Sequence, residues 1–104
     1  MKVVNAMGKW LVLWELDESK IPVDPKERGS GWQMLMALVR QDPEEGTAKD
    51  WGAFVGEHRG YVIHEGTELE IAVALQQYVP FVRFRVHPVE TVGQVELLVE
   101  ALLQ

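Results

Sequence analysis

The stretch Phe81–Val89, FVRFRVHPV, alternates apolar and charged side chains more regularly than any other part of the chain. Because successive side chains of a β-strand point to opposite faces, this pattern predicts a strand with one face in the core and one outside it. The residues expected to face the core are Val82, Phe84 and Val86. The opposite face then carries Phe81, Arg83, Arg85 and His87.

Three segments upstream of this strand also have the composition of strands. Lys9–Leu16 is apolar on both of its alternating faces, which is typical of a strand buried on both sides. Lys49–Val55 and Gly60–Glu65 are separated by a glycine-containing connection, which predicts a hairpin. Asp17–Gly31 carries two prolines, two glycines and many charges, and it is predicted to be a long exposed loop with at most a turn of helix after Pro25.

Three helices are predicted, and each begins with a capping box, in which a Ser or Thr is followed three residues later by Glu or Gln. The boxes are Ser30 with Gln33, Thr67 with Glu70, and Thr91 with Gln94. Proline predicts where the first two helices end, at Asp42-Pro43 and before Pro80. The third helix has an apolar stripe made of Val92, Val95, Leu98, Val99 and Leu102.

The element order is therefore β-α-β-β-α-β followed by a final helix. This order predicts an α+β fold of the ferredoxin-like type, with a four-stranded antiparallel sheet in the order 4-1-3-2 and two helices on one face. A chain of 104 residues supports one core, so we expect a single domain over residues 8–104. Residues 1–7 are expected to be a loose N-terminal extension.

The composition excludes several classes of function. The chain has no cysteine, which excludes disulfides, thiolate zinc sites and cysteine nucleophiles. Its net charge is −6 with only ten Lys and Arg, so we expect no nucleic-acid partner. No segment has the apolar length of a membrane span or the pattern of a signal peptide, so we expect a cytoplasmic protein without a membrane partner. No cofactor is expected.

The sheet face opposite the helices predicts self-association. Whichever way the first strand is turned, this face receives either Trp10, Val12 and Trp14 or Leu11 and Leu13. Such an apolar patch is larger than soluble monomers usually leave exposed. We therefore expect a homodimer in which two sheets stack across a twofold axis. The alternative is a monomer whose C-terminal helix covers this face.

Two segments carry a resemblance to a known group of proteins. The chain resembles the small dimeric α/β-barrel domains in DWGAFVGEHRGYVIHEG, residues 50–66, and in PFVRFRVHPV, residues 80–89. The resemblance also includes the loop DESKIPVDPKERG, residues 17–29. Within that group the chain is most similar to a bacterial and archaeal family of short barrel-like proteins with no established activity. The broader superfamily includes cofactor-independent monooxygenases of the antibiotic-biosynthesis type, haem proteins and muconolactone-isomerase-like enzymes. The resemblance implies a dimeric barrel and transfers no catalytic residues, because fold does not determine function.

Five residues are candidates for a ligand site: Trp14, His64, Arg83, Arg85 and His87. Arg83, Arg85 and His87 project from one strand face about 6.6–7 Å apart and could hold a carboxylate or a phosphate. The alternative is that they are charges that guard an edge strand against unwanted pairing. If indoles line the same place, a binding pocket is favoured.

The histidines do not have the spacing of a metal site. His64 and His87 belong to strands that the first strand separates, so their backbones lie about 9.6 Å apart and no metal site is expected. His64 could act as a general base, but Glu65 beside it points to the opposite face and cannot pair with it.

Two functions remain open from the sequence. The first is a non-catalytic dimeric domain that binds a small anionic or aromatic molecule, or acts in assembly. The second is a cofactor-independent enzyme of monooxygenase or isomerase type that acts on an aromatic or lactone-like substrate. A cavity of several hundred Å³ that holds a histidine beside an indole would favour the enzyme.

Overall fold

The computed structural model describes residues 8–45 and 48–104, and the expected extension over residues 1–7 lies outside this range. The fold is α+β, with a four-stranded antiparallel sheet and three helices among the described residues. The elements in chain order are β1 (Gly8–Leu16), a 3₁₀ turn (Glu18–Lys20), α1 (Pro25–Glu45), β2 (Ala48–Ala53), β3 (Arg59–Gly66), α2 (Glu68–Gln76), β4 (Val82–Val89) and α3 (Val92–Leu102).

The sheet has the strand order β2-β3-β1-β4, with β1 and β3 in its interior. Every neighbouring pair is antiparallel, and Leu13 lies opposite Tyr61 on one side and Arg85 on the other. β2 and β4 are the edges, so the sheet of a single chain is open rather than closed into a barrel.

The first helix is longer than the sequence pattern predicts at both ends. α1 begins at Pro25, where Asp24 caps it by accepting a hydrogen bond of 3.0 Å from the N–H of Glu27. Pro25 suits the first helical position, because its fixed φ angle matches the helix and its missing N–H is not needed there. The prediction of a loop over Asp17–Gly31 was therefore wrong after Asp24, and Ser30 lies inside the helix instead of capping it.

The predicted stop at Asp42-Pro43 was also wrong, because α1 continues to Glu45. Pro43 removes one hydrogen bond, to the carbonyl four residues earlier, and this weakens the last turn of the helix without ending it at once.

The other two capping boxes are confirmed. Thr67 accepts from the N–H of Glu70 at 3.2 Å, and its own N–H donates to the Glu70 carboxylate at 2.8 Å. Thr91 and Gln94 make the same reciprocal pair at 3.2 and 2.7 Å. Both helices therefore begin where the sequence predicts.

The core lies between the sheet and the helices α1 and α2. Its centre is an aromatic cluster in which Trp14 stacks on Trp51 at 5.3 Å and meets the edge of Trp32 at 6.2 Å. The buried apolar residues around this cluster are Val12, Trp14, Ala48, Val62, Ile71, Leu75, Tyr78 and Val82. The inward-facing set of β1 is therefore Trp10, Val12 and Trp14.

The last helix is exposed along its whole length in the part of the chain that the structure describes. Every side chain from Glu90 to Gln104 is exposed, including all the apolar side chains of α3. α3 therefore does not cover the face of the sheet opposite α1 and α2, contrary to the monomeric alternative. Within the described residues, no helix combines the length and the apolar character that crossing a membrane requires.

Candidate functional site

An open groove lies beside α1. It has a volume of about 630 Å³ and is bounded by the segment that joins β1 to α1, by one face of α1, and by the turn between α2 and β4. The apolar lining consists of Leu16, Ile21, Pro22, Trp32, Met34, Leu35, Ala37, Leu38, Tyr78, Phe81 and Val82.

Five polar side chains also line the groove: Asp17, Lys20, Arg28, Gln41 and Gln77. Arg28 is held in place, because its Nη1 donates to the carbonyls of Pro22 at 3.2 Å and Val23 at 2.9 Å. Lys20 makes no ion pair within 4 Å in the part of the chain that the structure describes. The groove therefore has apolar walls and two cationic groups.

Asp17 is the one acidic side chain in this lining. The hydroxyl of Ser19 donates to it at 2.8 Å, and the N–H of Ser19 donates at 3.0 Å. These two hydrogen bonds stabilise the carboxylate and lower the pKa of Asp17, with a smaller contribution from the positive charge of Arg83. Asp17 is thus ionised at neutral pH, and its carboxylate already accepts two hydrogen bonds from Ser19.

His64 lies in a second, much smaller cavity in the core. This cavity has a volume of about 30 Å³, which is room for about one water molecule, and Trp14 and Trp51 also line it. His64 is 1% exposed. Leu35, Tyr78 and Val82 line both the small cavity and the large groove, so they form the wall between the two.

The opposite face of the sheet, which we call the open face, has an apolar centre and a charged border. Its centre consists of four partly buried side chains from β1 and β3: Leu11, Leu13, Tyr61 and Ile63. The register of β4 sets Arg83, Arg85 and His87 opposite Glu15, Leu13 and Leu11, so these three exposed residues border the centre.

Three polar contacts of the open face lie on its other side. Arg59 pairs with Glu15 at 3.3 Å and with Glu57 at 3.2 Å. The hydroxyl of Tyr61 donates to Asp50 at 3.1 Å, and this hydrogen bond, which ionisation would break, raises the pKa of Tyr61.

The five site residues suggested by the sequence do not come together. Trp14 and His64 lie on the helix-covered side of the sheet, whereas Arg83, Arg85 and His87 lie on the open face. The two histidines therefore point to opposite sides of the sheet and cannot ligate one metal ion. Glu65 is exposed while His64 is buried, as the alternation predicts.

Two placements on the last strand differ from expectation. Phe81 precedes β4, where its N–H donates to Tyr78 in a turn, and its side chain lines the groove instead of the open face. Val86 points to the helix side but is 40% exposed, because β4 is an edge strand.

The sequence pattern missed the groove itself. Its two cationic residues, Lys20 and Arg28, belong to the stretch interpreted as an exposed loop. The available signal was Asp24-Pro25, a strong helix start that would have placed Arg28 on α1.

No protein-family model matches the chain, and no curated protein matches it in sequence. The geometry of the groove and of the open face therefore carries the functional argument.

Proposed function

We propose that this protein is a ferredoxin-like domain that binds a small, mainly apolar ligand with an anionic group in the groove beside α1. The observation that carries this proposal is the groove itself, with its volume of about 630 Å³. Sites for small molecules typically have about 300–1,000 Å³, apolar walls and a few polar groups that orient the ligand.

The chemistry of the lining determines the ligand class. Trp32 and Phe81 offer aromatic surface to an aromatic or alicyclic ligand, with the apolar side of α1 beside them. Lys20 and Arg28 together outweigh the single negative charge of Asp17, which Ser19 already engages. The charged lining therefore has a net positive charge, which favours a ligand with a carboxylate.

Binding is better supported than catalysis. His64 is the residue best suited to act as a general base, but it borders a cavity of about 30 Å³ that is too small for a substrate. The large groove is lined by no histidine, serine or cysteine. The monooxygenase-like or isomerase-like alternative would require Leu35 and Tyr78 to move apart so that the groove reaches His64.

The ferredoxin-like classification is supported by the order of the elements and by the strand order β2-β3-β1-β4. Two copies of the chain associate through the open face in this proposal, because Leu11, Leu13, Tyr61 and Ile63 form an apolar centre that α1 and α2 do not cover. The cysteine-free composition fits a protein of the cytoplasm.

Titration calorimetry with naphthoate tests the binding proposal, with neutral naphthalene-methanol as the comparison ligand. We expect naphthoate to bind more tightly than the alcohol. Lys20→Ala should weaken naphthoate binding by roughly fivefold at most, because an exposed charge pair contributes up to about 1 kcal/mol. Lys26→Ala is the matched control, because Lys26 is an exposed cation that does not line the groove.

A groove-filling variant tests the location of the ligand. Ala37 lines the groove from an exposed position of α1, so Ala37→Trp should abolish naphthoate binding. Ala72→Trp places the same side chain on an exposed position of α2 outside the groove and should leave binding unchanged. Equal binding by both tryptophan variants, or no heat with the parent protein, would overturn the proposal.

A further inference from the structure

α3 has an apolar side that no described residue of its own chain covers. Its stripe residues Val95, Leu98, Val99 and Leu102 recur at helical spacing and are 42%, 47%, 46% and 74% exposed. A helix of 11 residues is marginally stable alone in water, and most of its stability in a protein comes from packing its apolar side. The stripe therefore needs a partner surface.

The junction between β4 and α3 is short. Only Glu90 and Thr91 separate β4 from α3, and both backbone and side chain of Thr91 are held in the capping box with Gln94. α3 thus begins directly beyond the end of β4, with its apolar side chains exposed, and the molecule extends 61 Å along its longest axis against 25 and 21 Å along the others.

The β4 border of the open face carries the opposite charge to one edge of α3. Glu96 and Glu100 follow one edge of the apolar stripe, one helical turn or about 6 Å apart. Arg83 and Arg85 border the apolar centre of the open face, two residues or about 7 Å apart on β4. None of these four residues forms an ion pair within 4 Å in the described parts of the chain.

We propose that α3 of one copy of this chain lies along β1 and β4 on the open face of a second copy. The stripe packs on Leu11 and Leu13, and Glu96 and Glu100 lie beside Arg83 and Arg85. This inference rests on the self-association proposed above and names the element that occupies the open face. It differs from direct stacking of two sheets, because the open face cannot pack against a helix and against a second sheet at the same time.

The dimensions fit this arrangement. α3 is about 16 Å long and the eight residues of β4 span about 26 Å, so the helix fits within the length of the strand. A twofold axis doubles the contact, because each copy gives one helix and receives another. Each copy thus contributes two surfaces toward the roughly 800 Å² per partner that a stable dimer buries.

Charge reversal with rescue tests the exchange, and sedimentation of the full chain is the measurement. We expect the parent to be a dimer. Glu96→Arg with Glu100→Arg should raise the dimer dissociation constant at least tenfold, and so should Arg83→Glu with Arg85→Glu. The variant that carries all four reversals should recover dimerisation, because the two surfaces are complementary again. Lys26→Glu with Arg40→Glu, both on the exposed side of α1, is the control for a change in net charge.

The outcomes separate this inference from the proposal on which it rests. A monomeric parent at about 100 μM, where a standard interface would be saturated, overturns both. If the dimer persists in both double variants but is lost in Leu13→Lys, association through the open face is retained and the helix exchange is overturned. Loss in both double variants without recovery in the fourfold variant also overturns the exchange. Circular dichroism shows in each case that the variant is folded.

Discussion

At the scale of single residues, the two faces of the sheet give the same residue types different environments. Trp14 is buried among other indoles and donates its Nε1–H to the carbonyl of Tyr61 at 3.2 Å. Tyr61 itself points to the other face, where its hydroxyl meets Asp50. Neighbouring residues of a strand alternate between core and solvent. A shift of the strand register by one residue therefore exchanges these two environments.

The contact between Tyr61 and Asp50 predicts a pH-dependent effect. The carboxylate of Asp50 accepts a hydrogen bond from the phenolic O–H of Tyr61. This hydrogen bond raises the pKa of Tyr61, so the neutral hydroxyl is favoured in the folded state. Asp50→Asn should therefore lower the pKa of Tyr61 toward its ordinary value near 10. Spectrophotometric titration measures the change, and Tyr61→Phe identifies which of the two tyrosines titrates.

The direction in which folding stability changes with pH follows from the same pKa shift of Tyr61. The folded state keeps the proton at a pH where the unfolded chain releases it, so the contribution of this contact is complete below about pH 10 and is lost as the pH rises through the folded pKa. An unchanged titration of Tyr61 in Asp50→Asn would contradict the hydrogen bond.

At the scale of the elements, the helices show which local signals are reliable. Thr67 and Thr91 cap α2 and α3 as predicted, because each box is complete within four residues and nothing nearby competes with it. Ser30 belongs to a similar pattern but lies inside α1, because Asp24-Pro25 starts the helix earlier. α1 thus contains two possible start signals, and the upstream one begins the helix.

A pair of glycine substitutions contrasts a helix with a strand. Gly31 lies inside α1, and a Cβ built there meets nothing within 4 Å, so Gly31→Ala should stabilise the protein by about 0.5–1 kcal/mol. Gly60 lies in β3, where a Cβ would collide with the carbonyl oxygen of Gly52 and approach Trp14 Cζ2 to 2.6 Å. Gly60→Ala should destabilise by about 1–3 kcal/mol or more.

Thermal and urea unfolding measure both substitutions, and the opposite signs make each one the control for the other. Equal effects at Gly31 and Gly60 would show that β2 and β3 do not approach each other at Gly60 as closely as described.

At the scale of the whole molecule, the shape shows that one chain leaves apolar surface uncovered. The radius of gyration is 16.7 Å, whereas a compact chain of this length has about 13 Å. The difference fits the direction of α3, whose apolar side chains face solvent. The association proposed above would cover both α3 and the open face.

Salt dependence distinguishes the two ways in which the open face can be covered. If α3 docks beside Arg83 and Arg85, the dimer should weaken several-fold between about 0.05 and 0.5 M salt, because exposed charge pairs are screened. If two apolar sheet centres stack directly, the dimer should keep or increase its stability over the same range. Sedimentation equilibrium measures the dissociation constant in each case.

The sequence by itself determined the elements whose signals are local. Alternation in FVRFRVHPV predicts β4 with Val82 inward and Arg83, Arg85 and His87 outward, and the structure agrees with each of these directions. Strand alternation and helix capping involve residues only a few positions apart, so their physics can be read without knowledge of the rest of the chain.

Only the tertiary structure decided how these elements combine into surfaces. It placed Trp14 and His64 behind the sheet and Arg83 in front of it, which separates residues that the sequence suggested for one site. It also opened the groove between α1 and the turn before β4, and left α3 unpacked. The reason is that the distance between a helix and a sheet depends on how side chains from distant segments interlock, and no local pattern encodes that distance.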